Sequence, residues 1–129
     1  MAKYYINKVV DLSLDDAVTR VKDELKKEGF GVLTEIDMQA TMKNKLNVDI
    51  RPYKILGACN PPFAYKALQA ERNIGLYLPC NVVVQEAGEG KTEVAAVDPR
   101  VAMSRVENDA LQPVAEDIRA RLQRVIEAL

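Results

Sequence analysis

Asn81-Val82-Val83-Val84-Gln85-Glu86-Ala87-Gly88-Glu89-Gly90-Lys91-Thr92-Glu93-Val94-Ala95-Ala96-Val97 contains two β-forming runs separated by a glycine-rich turn, the pattern of a β-hairpin. A hairpin places at least one antiparallel pair in the sheet. The remaining strands lack the uniformly apolar character and regular crossovers of a doubly wound parallel sheet. The hairpin's first strand is predicted over Leu76–Glu86, interrupted near its start by Pro79, and its second over Thr92–Val97. Upstream, Tyr4–Val10 reads as the first strand of the chain, with Tyr4, Ile6 and Val9 sharing a face. Leu14, Ala17, Val18, Val21 and Leu25 then recur at spacings of three and four. They predict an amphipathic helix, opened by Ser13 with Asp16 as a capping box and closed at Gly29.

Gly31–Ile36 follows as the second strand, and Asp37 caps a short helix carrying Met38, Met42 and Leu46 on one side, the methionines filling core space. Arg51-Pro52 ends that helix, because proline disfavours helical geometry in the residue before it. Tyr53–Cys59 makes the third strand. Asn60 as N-cap and the prolines at 61 and 62 start a helix over Phe63–Glu71, which Asn73 and Gly75 close. Beyond Asp98-Pro99 a short helical piece around Val101–Val106 precedes a longer helix with Leu111, Val114, Ile118, Leu122 and Val125 on one face; Pro113 suits its first turn. The order is β-α-β-α-β-α-β-β-α-α. It predicts an α+β fold, a single domain over residues 1–129, with a five-stranded mixed or mainly antiparallel sheet and helices on one face.

Composition agrees: 129 residues, 48% hydrophobic and 29% charged, suit one globular domain. With 18 basic and 19 acidic residues, and no block of like charge, the chain has no footprint for nucleic acid or acidic lipid. The absence of histidine excludes histidine triads and His-ligated zinc within one chain. No apolar stretch approaches the ~18 to 20 residues of a membrane span, and Met1-Ala2-Lys3-Tyr4-Tyr5 opens straight into a strand, so a cytoplasmic protein without an anchor is expected. No cofactor and no metal are expected either.

Chemistry concentrates at Gly57-Ala58-Cys59-Asn60-Pro61-Pro62. A cysteine between a strand end and a helix start faces the positive end of the helix dipole, which favours thiolate, and free N–H groups there can hold a small anion. Equally, Gly-Ala-Cys suits a packed strand end, since cysteine is among the most buried residue types. Leu78-Pro79-Cys80-Asn81 repeats the Cys-Asn pair at the edge of a strand. If the third and fourth strands are neighbours, Cys59, Asn60, Cys80 and Asn81 meet at one end of the sheet. Glu35 and the Tyr53-Lys54 pair are further candidates for a polar pocket, although strand ends carry solvated polar residues as a rule. Gly90-Lys91-Thr92 imitates the end of a phosphate loop, but Gln85 stands where that motif needs glycine. Asp98 reads as a turn or cap residue, and the charges of the last helix as its wet side.

Three stretches, Glu28 to Asp37, Arg51 to Pro61 and Leu78 to Val84, together resemble the bacterial and archaeal family known as domain of unknown function 302. The likeness spans nearly the whole chain, and Gly-Ala-Cys-Asn-Pro with Leu-Pro-Cys-Asn carry it. It implies a compact α+β domain that tends to form a homodimer, implies no established reaction, and adds weight to Cys59, Asn60, Pro61, Cys80 and Asn81 as a site. The first functional expectation is therefore a dimeric ligand-binding or sensing module for an anionic or aromatic small molecule, with its pocket at the two Cys-Asn motifs. Alternatives are a thiol-based enzyme using Cys59 as nucleophile with Cys80 resolving, and a metal- or haem-binding dimer using thiolate, Met or Tyr ligands.

Overall fold

The hairpin forms where the alternation of its two runs dictates: Val82 pairs with Ala96 and Val84 with Val94, all facing one side, around a two-residue turn at Glu89-Gly90. The computed structural model describes residues 3–129; Met1 and Ala2, the start of the N-terminal run, lie outside them. In chain order the elements are β1 (Tyr5–Val10), α1 (Leu14–Lys27), β2 (Gly31–Asp37), α2 (Met38–Leu46), β3 (Tyr53–Cys59), α3 (Pro61–Ala70), a 3-10 turn (Ile74–Tyr77), β4 (Cys80–Gly88), β5 (Lys91–Val97), α4 (Pro99–Ala102) and α5 (Leu111–Glu127). The five strands form one sheet, ordered β1-β5-β4-β3-β2, and every neighbouring pair is antiparallel.

One face of the sheet is the core. Leu56, Val82, Val84 and Val94 are fully buried there against Val21 and Leu25 of α1 and Leu122 and Val125 of α5. Each such side chain contributes about 1.5–3 kcal/mol by leaving water. Helix α1 matches its sequence reading: the Ser13 hydroxyl accepts from the Asp16 N–H at 3.2 Å. Gly29 takes the left-handed φ of 87° just past the helix end.

Several local readings change. In β1 it is Val10, opposite buried Thr92, that joins the core, while Val9 turns to the other face. Asp37 caps α2 as predicted, accepting from the Ala40 N–H at 2.9 Å. The methionines of that helix do not fill the core, because none of its residues is buried. Asn47, in the left-handed region at φ 55°, ends α2 well before Arg51-Pro52. The segment read as the start of the fourth strand is instead the 3-10 turn followed by a cis Leu78–Pro79 bond, and β4 begins at Cys80 in the middle of the sheet, between β3 and β5. No helix among the described residues is long and apolar enough to cross a membrane.

Candidate functional site

Because β3 and β4 pair with Ala58 opposite Cys80, the end of one strand and the start of the other lie side by side. A cavity of about 310 Å³ opens at this end of the sheet, between α3 and α5. Cys59, Asn60 and Cys80 all line it, together with Phe30, Phe63 and Ile118. Its volume is at the lower end of the range of about 300–1,000 Å³ for small-molecule sites. Helix α3 presents Ala64 and Ala67 to it, and these small side chains leave the space that larger ones would fill. Leu33, 68% exposed, and Leu68, 48% exposed, also line it and so mark where it meets solvent. Among the described residues, none that lines the cavity carries a charge.

The polar groups of the motif are mostly committed to structure. Asn60, only 6% exposed, occupies the N-cap position of α3, but its side chain does not cap the helix. Its Nδ2 donates instead to the Glu28 carbonyl at 3.1 Å, and Arg121 Nη1 donates to the same oxygen at 3.1 Å. A Cβ at Gly29 would lie 3.0 Å from that amide nitrogen, so Gly29 and Asn60 fit one another. Pro61 and Pro62 have no N–H, and Ala64 already donates to the Asn60 carbonyl, so Phe63 alone brings a free donor to the first turn. An anion site at this helix end is correspondingly poor. Gly57 is required by space, since Thr34 Oγ1 and the Pro79 ring converge where its side chain would be.

The two thiols differ. Cys59 is half-buried, whereas Cys80 is 7% exposed. Burial pushes the Cys80 thiol up to about 11, with a further push from Cys59, so it is protonated at neutral pH. Both are free thiols.

The other candidates do not join them. Asn81, one residue on from Cys80, points to the opposite sheet face, where it lines a groove with Tyr5, Tyr53 and Val83. Pro61 is exposed and outside the cavity wall. Glu35 and Lys54 do pair, at 3.3 Å, and Glu35 also meets Lys22 at 3.0 Å, but they pair near the opposite end of β3 from Cys59. The Lys22 hydrogen bond, joined by Lys54 and opposed by partial burial, holds the Glu35 carboxyl below its usual range. No group of three or more Cys, Asp or Glu side chains among the described residues is placed to hold a metal ion. The apolar wall contributed by Phe30, Phe63, Leu78 and Met103 was not anticipated as a site. Val114 and Ile118, also on this wall, were legible only as part of the apolar stripe of α5.

The structure defines a class: an antiparallel α+β sandwich, helices on one sheet face, with an apolar cavity at the sheet's end. The chain belongs to the family described as Domain of unknown function DUF302, which it matches over residues 6–129. No curated protein matches it. It is similar to a solved structure, the uncharacterized conserved protein DUF302 from Bacillus stearothermophilus, at 29% identity and a TM-score of 0.90, the match covering 98% of each chain.

Proposed function

We propose that this protein is a cytoplasmic, homodimeric binding module for a small molecule with an apolar or aromatic body, held in the cavity at Cys59, Asn60 and Cys80. The observation that carries this reading is the chemistry of the wall: aliphatic and aromatic side chains, the sulfur atoms of Cys59, Cys80 and Met103, and one amide already bonded elsewhere. A preformed cavity with an apolar, uncharged wall favours apolar surface over ions. Against the earlier expectation of an anion at the α3 terminus stand the two prolines. The homodimer is assigned to the uncovered face of the sheet.

The test is titration with N-phenylnaphthylamine, an uncharged dye that brightens in apolar surroundings. Saturable binding at one dye per chain is the expected result, abolished in Ala64→Trp, where the indole fills the space while circular dichroism stays unchanged. A linear, unsaturable rise in the wild type, or full binding by the Ala64→Trp variant, overturns the reading.

A further inference from the structure

The apolar cavity shares part of its wall with a second one. Met103 and Ala115 line both, and beyond them lies a polar cavity of about 350 Å³ bordered by Arg100, Ser104, Asn108, Gln112 and Glu116. Met103 is nearly buried, and its unbranched thioether is the kind of side chain that yields to a neighbour. We propose that the two cavities form one site for an amphiphile bearing a carboxylate, its apolar body in the cavity at Cys59 and Cys80 and its carboxylate on Arg100. This inference rests on the binding reading above and names the ligand class.

The head group follows from which polar groups are free. Asn108 spends its amide on the Ala70 carbonyl at 2.7 Å and on Glu71 at 3.1 Å, and its Oδ1 accepts from the Ala110 N–H at 3.0 Å. Ser104 donates to the Val101 carbonyl at 2.8 Å. Among the described residues, Arg100 is the one cation on the wall. Its Nε and Nη2 engage Asp98 at 3.4 and 3.3 Å, whereas its Nη1 has only Glu116, at 3.7 Å. Glu116 is 61% exposed, so it can swing into water and give up that position to an incoming carboxylate. One carboxylate replaces another there, which conserves charge and shortens a loose contact into a charge-assisted hydrogen bond. A doubly charged phosphate fits less well, because Asp98 stays beside the same guanidinium.

Displacement of N-phenylnaphthylamine by decanoate and by decanol, at neutral pH, separates head from tail. Decanoate binds about tenfold more tightly than the alcohol in the wild type, as one charge-assisted hydrogen bond predicts. Glu116→Gln, a change at an exposed position, widens that ratio because the competing carboxylate is gone. Arg100→Met brings the ratio near unity and leaves dye affinity unchanged. A wild-type ratio near unity, or a Glu116→Gln ratio that does not rise, overturns the carboxylate assignment while leaving the apolar cavity standing. Absence of dye binding to the wild type removes both.

Discussion

Gly57 shows how much of a motif can be dictated by space. An added Cβ would meet the Thr34 hydroxyl and lie 2.8 Å from the Pro79 ring, so Gly57→Ala has to push one of them aside. Overpacking of this kind costs about 1–3 kcal/mol, to be read as a lower urea midpoint. Thr34→Ala added to Gly57→Ala restores part of the loss, because the Thr34 Cβ lies at 3.6 Å, an ordinary contact; the two changes are then non-additive. Asp98 is a second case in which one residue does more than its local sequence suggests. It caps α4 by accepting from the Arg100 N–H at 3.0 Å, as a turn residue would, and also holds Arg119 of α5 at 3.3 Å. Burial pushes its carboxyl up, but hydrogen bonds from Arg100 and Arg119 outweigh that and hold it below the usual range. A depressed folded pKa means stability that is present above the unfolded value of about 4 and is lost as pH falls through the folded one. Asp98→Asn is therefore expected to cost about 1–3 kcal/mol at neutral pH. The gap from wild type should narrow below about pH 4, as denaturant midpoints measured across that range would show.

At the scale of elements, most of what could be read locally was read correctly, and what depends on a neighbour was not. Helix α1 needed nothing beyond its own spacing and caps, and β3 and β5 were bounded by their glycines and prolines, whereas β4 was read from Leu76 and begins only at Cys80, after Pro79. The apolar side of α2 has the right period as well, yet spacing reports only that a face exists. Met38 and Met42 are only half-buried, and Leu46 stays exposed. The meeting of Cys59 with Cys80 depended on strand order, which sequence left open, whereas the separation of Cys80 from Asn81 was legible from the two-residue period of any strand. Asn60 was placed at the right position with the wrong partner, since an N-cap and a tie to Glu28 look alike in sequence. The two roles can be separated by substitution. Asp serves as an N-cap as well as Asn does but cannot donate to the Glu28 carbonyl. Asn60→Asp should then lose about 1 kcal/mol or more, comparable to Asn60→Ala, in equilibrium unfolding. An Asp variant as stable as wild type would return the residue to a capping role.

For the molecule as a whole, the telling feature is asymmetry between the sheet's faces. α1 and α5 cover one; on the other, Tyr5, Tyr53, Ile55, Val83, Ala95 and Val97 are only half-buried and Ile36 is exposed. Five strands about 4.8 Å apart and six to nine residues long give a flat footprint of roughly 500–600 Å². Side-chain relief takes the accessible area towards the ~800 Å² per partner of a stable complex. In the dimer proposed above, a second copy related by a two-fold axis would supply the matching apolar surface. Light scattering at tens of micromolar should thus report twice the 14.4 kDa chain mass. Val83→Arg, which plants a charge in the middle of that face, should report a single chain with unchanged circular dichroism. A wild type of single-chain mass removes the dimer. A Val83→Arg variant that stays dimeric moves the contact to the other apolar surface, at the cavity mouth, where Leu33 and Leu68 are exposed. Dye binding then decides between the surfaces: a dimer built on the open sheet face leaves the mouth free at any protein concentration. One built on the mouth makes dye affinity fall as the protein is concentrated.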